Sequence, residues 1–182
     1  MSKFYTRRGD DGTTGVLGEG RVMKYDLRME VLGSVDEATA ALGMGRALAQ
    51  TAEARSLLLQ IQRDLYMLMA EAAATPENVE RFHVVDAEKV TWLEEQTDAL
   101  AAQVNLPKEF IVPGDTPAGA ALDMARAMTR RAERRMAEWQ ARGGTQNPDL
   151  LRYLNRLSSL LFVLEIAENQ AAGVGSSTLA KG

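Results

Sequence analysis

Two stretches of this chain carry residue types suited to holding a polyanion. The first is Tyr5-Thr6-Arg7-Arg8-Gly9-Asp10-Asp11-Gly12-Thr13-Thr14-Gly15. Glycine lets backbone approach an anion closely, successive N–H groups can line a concave nest, and the threonines Thr6, Thr13 and Thr14 add hydroxyl donors. Lys24 follows as a cation able to close over phosphates. The second stretch is Ala125 to Arg135, where residues 126–135 hold five arginines, one acid and no lysine. The planar guanidinium fork suits phosphate better than the point charge of lysine. Arg126, Arg130 and Arg134 recur at i, i+4 and i+8 and so share one helical stripe, with Arg131 and Arg135 on the neighbouring one. Glu133, three residues from Arg130, is spaced to fix its guanidinium. Together the two stretches suggest a polyphosphate site.

Each stretch has a plainer reading alone. A glycine-rich segment serves equally as a surface turn, and an arginine-rich helix as a solvated face. No standard nucleotide motif decides the matter. Gly15-Val16-Leu17-Gly18-Glu19-Gly20-Arg21-Val22 comes nearest to a P-loop, but it has arginine for the lysine and valine for the Ser/Thr, and no strand–helix alternation surrounds it. His83 is the only histidine and there is no cysteine, which argues against a histidine metal cluster, a Ser-His-Asp triad, a thiolate site or disulfides. His83 reads as a surface loop residue. Asp36 reads as a helix-dipole partner or as the mate of an arginine on another helix or subunit.

These residues need elements to position them. The chain has 182 residues, 46% apolar and 25% charged, as expected of one globular domain. Its net charge of −4 gives it no general affinity for nucleic acid or anionic lipid. No apolar run approaches a membrane span and the N-terminus has no signal-peptide core, so the cytoplasm is the expected location. Residues 1–33 read as an ordered loop, with a short strand at Lys3–Thr6. Five helices are expected after it. Ser34-Val35-Asp36-Glu37 matches a capping box and opens the first, to about Gln50. The second spans 54–74 and stops at Thr75-Pro76. The third runs from Asp86 to about Val104. Residues 105–117, with three prolines, form a structured connection. Thr116-Pro117 starts the fourth, which ends at Gly143-Gly144. Asn147-Pro148 starts the fifth, to Ala171, and residues 172–182 read as a flexible tail.

Taken in order, the chain resembles the PduO-type ATP:cob(I)alamin adenosyltransferases. The resemblance rests on the N-terminal stretch, on Lys24-Tyr25-Asp26-Leu27-Arg28, on Gly33-Ser34-Val35-Asp36-Glu37, on Phe110-Ile111-Val112-Pro113-Gly114, on Ala125–Arg135 and on Tyr153-Leu154-Asn155-Arg156-Leu157-Ser158. It implies an all-α, ferritin-like five-helix bundle with an ordered N-terminal phosphate-binding loop, assembled as a homotrimer with sites between subunits. It implies transfer of the 5′-deoxyadenosyl group of ATP to cob(I)alamin, with triphosphate as leaving group; a non-catalytic ATP- or adenosylcobalamin-binding protein is the alternative. Thr6, Arg7, Arg8, Gly9, Thr14, Gly15 and Lys24 would hold the ATP phosphates from the loop. Arg130, Arg131, Glu133, Arg134 and Asn155 would bind ATP from the helices, and Arg130 would also take a catalytic part. Asp36 and Arg126 would form an intersubunit ion pair, and Phe110 would pack below the corrin. Mg²⁺ would travel with the phosphates, with no dedicated protein cluster. A reductase and an adenosylcobalamin-dependent enzyme would be the protein partners. Asp115, Ala38-Thr39, Ser159 and Glu165 depart from the residues usual in that family.

Overall fold

The computed structural model describes residues 5–181. Five long helices make up most of it: α1 (Leu27–Leu48), α2 (Ala52–Ala73), α3 (Ala87–Ala101), α4 (Pro117–Ala141) and α5 (Asp149–Ala171). A hairpin of two short antiparallel strands, β1 (Thr13–Gly15) and β2 (Arg21–Met23), precedes them. A single 3₁₀ turn, Val79–Arg81, lies between α2 and α3. No described helix is long and apolar enough to cross a membrane.

Helix ends follow capping chemistry. The Thr51, Asp86 and Thr116 side chains accept the first free N–H groups of α2, α3 and α4, and Pro117 occupies the first helical position of α4. At α5 the Asn147 side chain accepts from the Asp149 N–H at 2.9 Å. The start of α1 corrects the sequence reading. Asp26, not Ser34, is the N-cap, its Oδ1 accepting from the Arg28 N–H at 2.8 Å. Ser34 is buried within α1 and Asp36 lies in the helix interior. Val31, Val35, Ala38 and Leu42 form one continuous buried stripe across Gly33, and burial on this scale outweighs the weak helix propensity of one glycine. The loop therefore ends at residue 26. The expected strand at Lys3–Thr6 lies partly outside the described residues, and Tyr5 and Thr6 have no strand structure.

Helix α1 packs between α2 and α4, and α4 packs on α5. Helix α3 packs on α5 and is tied to α2 through a buried polar cluster. There Asp64 accepts from Lys89 Nζ at 2.8 Å, Gln60 Nε2 at 2.9 Å and the Tyr153 hydroxyl at 3.1 Å. Leu42, Leu65, Leu122, Met136, Leu154 and Leu157 are among the fully buried core side chains. Near the start of α4 the two helices approach closely at Gly119, where a Cβ would stand 2.2 Å from Asn169 Oδ1. The same oxygen accepts from Thr116 Oγ1 at 2.6 Å, which fixes where the 102–116 connection meets the bundle.

The segment expected to be a flexible tail is hydrogen-bonded at residues 178–180. Ala180 N–H donates to Phe110 O at 2.8 Å, Val112 N–H donates to Thr178 O at 2.9 Å, and Ile111 bridges Leu179 antiparallel. The C-terminal segment thus folds back on the connection that carries Phe110.

Candidate functional site

The N-terminal loop is built by cations within it. Arg21 on β2 donates to Arg8 O at 2.7 Å, to Thr13 Oγ1 at 2.7 Å and to Thr13 O at 3.1 Å. Lys24 Nζ donates to Gly9 O at 2.7 Å, so in this structure it ties the loop shut. Asp11 accepts from both the N–H and the hydroxyl of Thr13, which holds its carboxyl below the usual aspartate range. Arg7 has φ of 60°, a left-handed conformation uncommon for a residue with a side chain. Such a residue turns neighbouring N–H groups toward one side. The N–H groups of Arg7 and Gly9 make no hydrogen bond among the described residues. That arrangement suits an anion.

The hairpin hangs on the end of α2. Leu17 N–H donates to Ala73 O at 2.8 Å and Leu17 O accepts from the Thr75 N–H at 3.1 Å. Gly18, at φ of 148°, lies against Thr75, where a Cβ would come within 2.3 Å of the hydroxyl. Neither strand packs on α4, and among the described residues no hydrogen bond or ion pair joins residues 5–24 to the arginine helix. The two anion-suited stretches are thus not joined to each other among the described residues of the chain.

On α4 the arginines divide. Arg131 pairs with Glu37 of α1, Arg126 Nε donates to Asp123 Oδ1 at 2.7 Å, and Arg135 pairs with Glu138 at 3.2 Å. Arg130 and Arg134 are exposed and have no ion-pair partner among the described residues. Glu133 does not fix Arg130 as its spacing suggested. It accepts from Asn155 Nδ2 of α5 at 2.7 Å, placing Glu133 and Asn155 together one turn beyond Arg130. Glu37 does not reach back as a capping-box residue, because its carboxylate meets Arg131 instead. Asp36 is exposed and does not meet Arg126 within the chain.

Phe110 sits on the 102–116 connection with its side chain 89% exposed, too bare to be a core residue. Val112, Leu106 and Leu179 are exposed around the same connection and tail. Asp115, a departure noted in the sequence, accepts from the Thr178 hydroxyl at 2.6 Å and its N–H at 3.1 Å. Its charge is therefore engaged by the tail. Glu165 is buried on α5, and among the described residues neither carboxylate oxygen has a hydrogen-bond partner. Burial, assisted by Asp123 and Asp115 and opposed by Arg126, raises its pKa to about 7.

His83 is half-exposed, 3.5 Å from the buried Glu71 carboxylate and beside Asn147. Burial raises the Glu71 pKa. Among the described residues no group of three or more His, Cys, Asp or Glu side chains is placed to hold a metal. Sequence reasoning missed Arg21 and Asp11 as loop builders and Glu37 and Asp123 as arginine partners. Only the shared composition of the loop hinted at the first pair.

Residues 4–168 match the family model described as cobalamin adenosyltransferase. A corrinoid adenosyltransferase of Citrobacter freundii is 38% identical over 175 residues, covering 96% of this chain and 99% of that protein. The corrinoid adenosyltransferase PduO of Salmonella typhimurium is 37% identical over 93% of this chain and 50% of its own length. A variant of the PduO-type ATP:corrinoid adenosyltransferase from Lactobacillus reuteri, solved with cobalamin and ATP, superposes with a TM-score of 0.89 at 33% identity, covering 99% of this chain and 100% of that one. With sequence kinship along nearly its whole length and the same arrangement of helices, the chain belongs to the cobalamin adenosyltransferase family.

Proposed function

We infer that this protein is an ATP:corrinoid adenosyltransferase, moving the 5′-deoxyadenosyl group of ATP onto cob(I)alamin and releasing triphosphate. The observation that carries the reading is the pair of exposed guanidiniums, Arg130 and Arg134, unpaired among the described residues, in a chain akin over 96% of its length to a corrinoid adenosyltransferase. The cobalt(I) electron pair forms the bond to C5′, the C5′–O bond breaks, and its electron pair leaves on the triphosphate. No proton moves, so the protein needs no general base. It needs alignment of the two reacting atoms and cations where the leaving group gains charge.

Arg130 and Arg134 supply those cations. Arg131 adds charge already shared with Glu37, while Glu133 and Asn155 give a hydrogen-bonding edge to the nucleotide. Thr6–Gly9 and Thr14–Gly15 wrap the phosphates with backbone and hydroxyl donors, and Lys24 leaves Gly9 O to join them. Mg²⁺ would accompany the phosphates and would offset their charge. Phe110 occupies the lower corrin face with an apolar ring that cannot coordinate, which favours reduction of cob(II)alamin. Because the hairpin and the arginine face are not joined in one protomer, sites between subunits of a homotrimer account for both, with Asp36 of one subunit meeting Arg126 of the next. A reductase supplies the electron and an adenosylcobalamin-dependent enzyme takes the product. The cytoplasm suits a cysteine-free chain that consumes ATP.

The test is direct. Purified protein, ATP, Mg²⁺ and cobalamin under strongly reducing, anaerobic conditions are expected to give the adenosylcobalamin spectrum and one triphosphate per cobalamin. Ligand binding without conversion would leave only a carrier or sensor. Sedimentation checks the trimer.

A further inference from the structure

Asn155 is gripped from both sides. Its Nδ2 donates to Glu133 Oε1 of α4 at 2.7 Å, and its Oδ1 accepts from Arg156 Nη1 at 2.5 Å. Arg156 is itself anchored, its Nε donating to Glu94 Oε1 of α3 at 2.6 Å. A chain of three hydrogen bonds thus crosses from α3 through α5 to the arginine face of α4.

An amide can turn by half a rotation and exchange its donor and acceptor ends. Here that turn would set the amide oxygen against the Glu133 carboxylate and the amide N–H groups against a guanidinium. Both contacts would be repulsive, so a single orientation survives. It leaves one N–H and one oxygen lone pair of Asn155 for a ligand. Arg156 and Glu94 are 42% and 45% exposed. Exposed ion pairs contribute little to fold stability, so holding the bundle together is not what this pair is for.

We propose that Arg156, anchored by Glu94, is a positioning residue that locks the Asn155 amide in the orientation that meets ATP. This rests on the assignment of Asn155 and Glu133 to the nucleotide site. Arg156 touches no substrate and acts through Asn155 alone.

Two measurements test it. Titration calorimetry with ATP is expected to show about a tenfold weaker Kd for Arg156→Met, the loss of one charge-assisted contact. Arg156→Lys is expected to recover part of it. The double variant Arg156→Met/Asn155→Ala is expected to bind no worse than Asn155→Ala, because the two residues form one path. Melting temperatures are expected to stay unchanged. In ¹⁵N NMR of the ligand-free protein, the Asn155 side-chain amide is expected to resonate away from the positions of free, solvated amides, and to move toward them in Arg156→Met and in Glu94→Gln. Wild-type ATP affinity in Arg156→Met, or additive losses in the double variant, overturns the role. Amide signals indifferent to Arg156→Met also overturn it. Wild-type protein that binds no ATP overturns the site assignment and this role with it. That case is recognisable because the NMR signals of the free protein still respond to Arg156→Met.

Discussion

Asp115 and Thr178 are joined twice, the carboxylate accepting both the hydroxyl of Thr178 at 2.6 Å and its N–H at 3.1 Å. Beside them the backbone of 110–112 pairs with that of 178–180. The connection bearing Phe110 is therefore strapped by the C-terminal segment. Asp115→Ala is expected to speed proteolytic nicking of both segments with little change in melting temperature. The hydrogen bonds from Thr178 hold the Asp115 pKa below its ordinary value. A carboxyl with a lowered folded pKa stabilises above its unfolded value and loses that effect as pH falls through the folded one. The Thr178 amide signal is thus expected to titrate with a midpoint below about 3.9, the unperturbed aspartate value.

Arg130 makes no ion pair among the described residues, so the fold does not depend on it. Arg130→Ala is expected to lower turnover by about 10²- to 10³-fold, the usual loss when one preorganised donor to a developing negative charge is removed. Steady-state kinetics and a melting curve check this together. A large fall in melting temperature would reassign the residue to structure.

Phe110 buries almost nothing in the protomer, so Phe110→Ala is expected to leave both stability and ATP affinity intact. Its effect should appear when cob(II)alamin is the starting material, as slower reduction. Electron paramagnetic resonance of the bound cobalt, compared with that of wild type, reads this out. Equal reduction in both proteins would remove the ring from the chemistry.

Glu165 gives a pH signature. Burial raises its carboxyl to about 7, well above its unfolded value, so the folded state favours the protonated form. The stability linked to that proton is complete below the unfolded pKa and is lost as pH rises through about 7. Wild-type protein is expected to lose up to about 3 kcal/mol between pH 4.5 and pH 8, and Glu165→Gln to lose much less. Urea denaturation across that range decides it.

Much of this architecture was legible because it is local. Thr116-Pro117 announced α4, Asp86 announced α3, and the leucines of α5 kept their period. The start of α1 was misread because Gly33-Ser34 imitates a boundary that the buried valines override. The hairpin escaped notice since three-residue strands are too short to display alternation. The strap of Thr178 on Asp115 was invisible for another reason: its partners lie 63 positions apart and are ordinary polar residues. On the candidate site, residue types suggested an anion-binding chemistry. They did not reveal that Glu133 turns to Asn155 and not to Arg130, because that choice is made by the packing of α4 on α5.

With sites between subunits, as proposed above, the separation of the hairpin from the arginine face within one chain has a genetic consequence. Lesions in the two halves should complement one another. A protomer lacking Arg130 still offers a sound hairpin, and one with a broken hairpin still offers sound arginines. Co-assembled in equal amounts, two such inactive polypeptides would regain working centres at about one junction in four, by random placement around a closed ring.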